Sequence, residues 1–296
     1  LHGPILTAMA AYAETPPEGA ERRFVDGPSG RIAVWVKPGG GVPLLLLHGN
    51  TASKTAFRRL LAEPALAGRA WAAMDLPGAG ESDDAADVER FYTIPAFARA
   101  VAAVVSGLGM DRPVAFGWSL GGHIVIEAAG QGVPLRGLVL TGTPPCGPGP
   151  QEMAESFNMD ALGEVAIADQ PSAEVLQAYM RTKLYGTSVP VDDELITAGL
   201  RFDGRMRKTF ADHWLSAVEG CHARTVIAEW PQPIAVIQGD LEPFLDPHLL
   251  DRLAWRNLWR GRGQWVRGTG HAPFYEKPAA YAALLAAFLA EIDAAG

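Results

Sequence analysis

A serine, a histidine and two carboxylates stand in this 296-residue chain where they could meet as an acyl-transfer centre. Gly117-Trp118-Ser119-Leu120-Gly121-Gly122 follows the apolar run Val114-Ala115-Phe116, which reads as a buried strand, and opens Leu120 to Ala129, which reads as a helix. In that context G-x-S-x-G is a nucleophile elbow: the glycines allow a sharp strand-to-helix turn that lifts Ser119 Oγ above the sheet edge. A serine hydroxyl attacks poorly until a neighbour removes its proton. His271, in Gly268-Thr269-Gly270-His271-Ala272-Pro273-Phe274, follows the last strand at that same edge and is the expected base. His123 lies one turn into the elbow helix, and His213 lies in a later helical segment. A carboxylate should orient the base and stabilise its charged form. Gln238-Gly239-Asp240-Leu241-Glu242-Pro243-Phe244 offers Asp240 and Glu242, whereas Thr141-Gly142-Thr143, after the preceding strand, offers no acid. His48-Gly49-Asn50 after Leu44 to Leu47 would let the Asn50 N–H join that of Leu120 around an oxyanion. His48 itself reads as a structural turn residue.

Alternating elements must position these groups. Arg22 to Val25 and Arg31 to Val36 read as an antiparallel hairpin. Pro43 to Leu47, Ala70 to Met74, Gly137 to Leu140, Ile234 to Ile237 and Gln264 to Val266 read as further strands, most of them covered on both faces. Thr55 to Leu66 looks helical. Ile94 to Leu108 sets Phe97, Val101, Val104, Val105 and Leu108 on one helical face, and the closing helix does so with Tyr281, Leu284, Leu285, Phe288, Leu289 and Ile292. Repeated β-then-α units imply an α/β fold with a mainly parallel, eight-stranded sheet and helices on both faces.

The alternation fails between residues 146 and 225. Prolines mark both ends, Ala173 to Leu184 and Arg205 to Val218 look helical, and the interval is too long for a loop. It is expected to be a helical cap inserted into a core of residues 20–145 and 226–296; a separate domain is the alternative. Residues 1–19 are expected to be a flexible lead-in.

Composition narrows the classes of function. A formal net charge of −8 and scattered basic residues exclude a nucleic-acid groove, and no apolar run is long enough to span a bilayer. Two cysteines, Cys146 and Cys221, form no disulfide framework, although their positions at the two ends of the interval leave a single bridge open. No two histidines are separated by one residue, so the H-x-H-x-D-H metal motif is absent, and neither metal nor another cofactor is expected. The expected partner is a small ester or lactone. Ile5 to Ala13 resembles the tail of a secretory signal without a basic start, so a cytoplasmic location is expected, with export as the alternative.

The order Ser, acid, His is that of α/β-hydrolases. From about Gly30 to Ala290 the chain resembles that superfamily, and more narrowly its metal-independent N-acyl-homoserine lactonases. The likeness is carried by His48-Gly49-Asn50, the loop Asp75-Leu76-Pro77-Gly78-Ala79-Gly80-Glu81-Ser82, and Phe116 to Ile124. Leu140-Thr141-Gly142-Thr143-Pro144-Pro145, Glu242-Pro243-Phe244 and Gly270-His271-Ala272-Pro273-Phe274 complete it. The resemblance selects Glu242, third after Gly239 and before a proline, as the acid, with Asp240 as runner-up; Asp75 is expected to tie down its own loop. It makes Tyr179 a candidate beside the lactone, against an ordinary packing role, and Trp118 a second substrate contact. Phe157, Met159, Leu176, Met180, Leu184 and Trp214 are expected to wall an acyl pocket. The implied function is lactone hydrolysis through a Ser119-acyl intermediate. A general carboxylesterase, a C–C bond hydrolase and a hydrolase-fold ligand receptor are the alternatives. Dehalogenases and epoxide hydrolases of this fold need an aspartate nucleophile where this chain has Ser119.

Overall fold

Side chains alternate across the strands, and that period of two divides the interior into two cores, one on each face of a single sheet. The structure, a computed structural model, describes residues 13–216, 220–246 and 249–295; the signal-like stretch from Ile5 lies outside these except for Ala13. The strands are β1 (Glu21–Gly27), β2 (Gly30–Lys37), β3 (Gly40–Leu47), β4 (Arg69–Met74), β5 (Val114–Trp118), β6 (Gly137–Thr141), β7 (Ile234–Gly239) and β8 (Gln264–Val266). They form an eight-stranded sheet in the order β1-β2-β4-β3-β5-β6-β7-β8. β2 pairs antiparallel with β1 and β4, and every other pairing is parallel, as expected.

Leu45, Leu47 and Ala115 join one core with helices α1 (Ile94–Gly107) and α2 (Leu120–Gly130). Leu44, Leu46, Phe116 and Trp118 join the other, under the closing helix (Pro278–Ala294). α1 starts where the sequence signals it: Thr93 Oγ1 accepts from the Ala96 N–H at 3.3 Å and Pro95 occupies the first turn. The helix expected over Thr55 to Leu66 is instead broken into short turns, Lys54–Phe57, Arg58–Leu61 and Pro64–Leu66. Pro64 is the reason, because a residue before proline is driven out of helical geometry, and Glu63 is extended at φ −69° and ψ 134°.

Between β6 and β7 the chain is helical: α3 (Pro150–Ser156), α4 (Ala173–Tyr179), α5 (Asp193–Arg201), α6 (Gly204–Leu215) and α7 (Ala223–Glu229). α4 does not continue as one α-helix to Leu184 as expected. It passes into a π turn, Met180–Leu184, closed by the Tyr185 N–H on Met180 O at 3.1 Å. α6 stops at Leu215, and Val218 of the helix expected there lies outside the described residues.

A buried charge cluster ties the loops after β3 and β4 together. Lys54 Nζ is fully buried and meets the carboxylates of Glu14, Asp75 at 2.5 Å and Glu81 at 3.0 Å. These three acids surround the ammonium. Burial alone would lower the Lys54 pKa, but Asp75 and Glu14 outweigh it and hold the amine above its ordinary range. Asp75 also accepts from the Lys54 N–H at 2.8 Å and the Glu81 N–H at 2.9 Å, so it ties down its own loop. Toward the end of the lead-in Glu14 and Thr15 are held rather than flexible: Glu14 is 3% exposed and takes a hydrogen bond from Ser53 Oγ at 2.7 Å, while Arg58 Nη2 donates to Thr15 O at 2.6 Å. Lys54→Met strands three buried carboxylates and should cost about 3–5 kcal/mol in urea unfolding at pH 7. Glu14→Gln should cost less, since Asp75 and Glu81 still face the ammonium; parent-like stability of Lys54→Met would contradict this account.

Candidate active site

The last residue of β5 and the first of α2 are separated by Ser119 alone. This turn requires φ 54° and ψ −118° at a non-glycine residue, a conformation that L-residues avoid. Close approach explains the flanking glycines: a Cβ on Gly117 would lie 2.3 Å from Gly121 O, and one on Gly121 would lie 2.4 Å from Leu47 O. The Ser119 N–H donates to Thr141 O at 2.8 Å, and Thr143 Oγ1 donates to Ser119 O at 2.9 Å. The turn is thereby bonded on both sides of its strained residue.

His271 arrives on the loop after β8 and Glu242 on the loop after β7, both at the carboxyl edge of the sheet where Ser119 stands. Glu242 Oε2 lies 2.7 Å from His271 Nδ1, with both side chains at most 7% exposed. The other oxygen, Oε1, accepts from the Phe244 N–H at 2.9 Å. Asp240, the alternative acid, is turned elsewhere: its Oδ1 takes the Gly268 N–H at 2.5 Å and holds the loop that leads to His271. With Nδ1 facing Glu242, Nε2 is the nitrogen of His271 left for proton exchange.

Two further contacts fix the imidazole. Trp118 Nε1 donates to His271 O at 2.8 Å, and the Phe244 ring meets the imidazole edge-on at 4.6 Å. Trp118 is therefore corrected from substrate contact to support. Its side chain is wholly buried on the sheet face opposite α2, because alternate residues of β5 point that way. Behind the ring lies Gly142, at φ +62°, where a Cβ would come within 2.6 Å of His271 Cε1. The place after β6 that lacks an acid is thus also a place where only glycine leaves room for the His271 imidazole.

Ser119, His271, Asn50 and Leu120 border one cavity of about 620 Å³, part of it open to solvent. Leu120 opens α2, so its N–H has no partner within the helix, and Asn50 follows β3 with its side-chain Nδ2 donating to Ala166 O at 2.7 Å. Tyr179, Phe157, Leu184 and Trp214 line the cavity as expected of a pocket wall. Burial, then the nearby Glu242 charge, raise the Tyr179 phenol above its ordinary pKa. Met159, 44% exposed, is not in the wall; Leu176 and Met180 are buried instead in the core beneath it. The π turn explains the pairing of Tyr179 with Leu184, because its wider turn brings residues five apart to one side.

Phe210, Ile167, Phe244 and His123 also line the wall, a role the sequence did not assign them. The signal for His123 was its spacing, four residues after Ser119 on one helix face. Burial lowers its pKa to about 3, and that of His48 to about 4. His48 is a strut, with Nδ1 2.8 Å from Gly49 O and Nε2 accepting from the Leu76 N–H at 3.0 Å. Cys146 and Cys221 are free thiols that border a second, smaller cavity, so the bridge left open by their positions is not formed. No helix among the described residues is long and apolar enough to cross a membrane.

A family model described as the alpha/beta hydrolase family matches residues 44–284. Haloalkane dehalogenase 2 of Mycobacterium tuberculosis is 30% identical over 219 residues, 72% of this chain and 68% of that one. The solved structure of the N-acyl homoserine lactonase AidH with N-butanoyl homoserine is 35% identical, with a TM-score of 0.85, and the match covers 92% of this chain and 97% of that one. Esterase RhEst1 from Rhodococcus sp. ECU1013 shares the fold at 22% identity and a TM-score of 0.73, over 93% and 99% of the two chains.

Gly142→Ala should displace the His271 imidazole, since its new Cβ would meet that ring at 2.6 Å and Glu242 Oε2 only at ordinary contact, 3.4 Å. Turnover of a chromogenic ester should fall by roughly 10²-fold or more while circular dichroism stays that of the parent. Near-parent turnover would show that the ring is not braced there.

Proposed function

The chain belongs to the alpha/beta hydrolase family, and from that premise we propose that it opens the ring of N-acyl-homoserine lactones through a Ser119-acyl intermediate. The observation that carries this reading is that Ser119 and His271 border one apolar cavity, with Glu242 at His271 Nδ1, in a chain alike over nine-tenths of its length to a homoserine lactonase.

In this mechanism His271 Nε2 takes the proton of Ser119 Oγ as the oxygen attacks the ring carbonyl. Glu242 holds Nδ1–H and stabilises the imidazolium. The N–H groups of Asn50 and Leu120 receive the negative charge that develops on the carbonyl oxygen. Collapse breaks the bond to the ring oxygen, which leaves as an alcohol with the proton from His271. Water, deprotonated by the same nitrogen, then attacks the acyl-enzyme and frees the carboxylate. Residues 146–225 act as a cap over the core of residues 20–145 and 226–296, supplying Phe157, Tyr179, Leu184 and Trp214 to the acyl-chain wall. Tyr179 borders the lactone head, on the side of Glu242.

The likeness to a dehalogenase does not extend to its reaction. Displacing halide with a carboxylate makes an ester that water can cleave, whereas Ser119 would make an ether that water cannot.

Ser119→Ala should lower turnover by several orders of magnitude. Glu242→Gln should lower it by roughly 10²-fold or more and Asp240→Asn much less; the reverse order would move the orienting role to Asp240. Mass spectrometry of N-hexanoyl homoserine lactone after turnover should find one hydrated product. Two fragments would indicate amide cleavage, and an unreacted lactone beside brisk hydrolysis of linear esters would leave a carboxylesterase.

A further inference from the structure

The cavity wall beside α2 is apolar with one exception. His123, 6% exposed, lines it with Leu120, Met153, Phe157, Phe210 and Trp214, and on its other side borders the smaller cavity of Cys146 and Cys221. Its ring meets Trp214 edge-on at 4.4 Å and Phe157 at 6.0 Å. Among the described residues no hydrogen bond engages either ring nitrogen. The neighbouring polar side chains have partners, His271 on Glu242 and Asn50 on Ala166 O, while Tyr179 stands by Phe244 at the Glu242 side. His123 is thus the polar group of the tail end of the chamber.

Its position follows from the helix. Four residues after Ser119, it lies on the same face just over one turn on, about 6 Å along the axis, with its Cα–Cβ bond tilted back toward Ser119. In an acylamino lactone the third carbon of the acyl chain is five bonds from the reacting carbonyl, about 6 Å when extended. The two separations agree. Burial keeps the imidazole neutral, leaving it one donor and one acceptor, and a buried polar group without a partner is unfavourable.

We propose that His123 is a specificity-determining residue that hydrogen-bonds an oxygen, keto or hydroxyl, on the third carbon of the substrate's acyl chain. The spacing rests on the acyl-lactone reading above. A keto oxygen would accept the imidazole N–H, and a hydroxyl would also meet its lone pair. Plain alkyl chains would leave the ring unpaired, and a site built to hydrogen-bond discriminates against the analogue that lacks the group.

The test compares matched pairs of substrates. One pair is N-hexanoyl and N-(3-oxohexanoyl) homoserine lactone. The other is the methyl esters of N-hexanoylglycine and N-(3-oxohexanoyl)glycine, which keep the same bond count without a ring. The readout is the oxo-to-plain ratio of kcat/KM in the parent, His123→Phe and His123→Gln. The parent ratio should exceed one, fall about tenfold in His123→Phe, and recover in part in His123→Gln, which keeps a donor and an acceptor. An unchanged ratio in His123→Phe would overturn the proposal, since a packing role lowers both members of a pair alike. Failure of the lactone reading looks different: both lactones would stay intact while the glycine esters react, and their ratio would still judge His123. No turnover of any of the four would overturn both.

Discussion

Ser119 occupies a backbone conformation that costs about 1–3 kcal/mol at a non-glycine residue, and the surrounding architecture is what holds it there. The strain is a consequence of geometry: a strand that ends and a helix that starts within one residue cannot avoid it. Thr141 O and Thr143 Oγ1, both from the edge of β6, bond the turn, and Gly117 and Gly121 let Leu47 and its neighbours approach. The same sharp turn presents a hydroxyl at the carboxyl edge of the sheet, where parallel strands deliver the other groups.

Delivery alone does not orient a base. His271 is oriented by groups from different segments: Glu242 at Nδ1, Trp118 on the main chain, Phe244 against the ring edge and Gly142 behind it. Glu276 links this loop to the helical segment, since its Oε1 accepts from the Gly270 N–H at 2.7 Å and its Oε2 from Ser188 Oγ at 2.5 Å. On the other side, Asn50 reaches Ala166 O of the same segment. The helices between β6 and β7 are therefore bonded both to the loop carrying the imidazole and to the loop carrying Asn50. In the proposed reaction, how that segment packs bears on both proton transfer and oxyanion binding.

Buried polar groups play two different roles in this protein. Lys54 meets its acids in a cluster that joins the loops after β3 and β4 to Glu14, and His48 bridges two of those loops through both nitrogens. His123 is as buried as these but faces a cavity. A polar group with protein partners stabilises the fold; one without them calls for an explanation, and for His123 the proposed substrate oxygen supplies it.

Strand existence and order along the chain, the α2 elbow, and the candidate groups Ser119, His271, Glu242 and Asn50 were legible because each depends on local rules. These are apolar runs, a glycine-bounded turn, and loops at one edge of a parallel sheet. Pro64 marks the break in the helix after β3 as locally as these. What depended on packing was not legible. The π turn at Met180–Leu184 carries no sequence mark, and it decides that Tyr179 and Leu184 face the cavity while Leu176 and Met180 do not. Trp118 follows strand alternation to the opposite face, although its neighbour Ser119 suggests otherwise. Glu14 pairs with Lys54 forty residues away, a contact no local rule marks, whereas Glu242, which the resemblance had selected over Asp240, is the acid found at His271 Nδ1. Sequence by itself determined which groups the sheet carries to its edge, since periodicity and turn chemistry act over a few residues. Only the tertiary structure decided which of them face one another, because that depends on contacts between segments far apart in the chain.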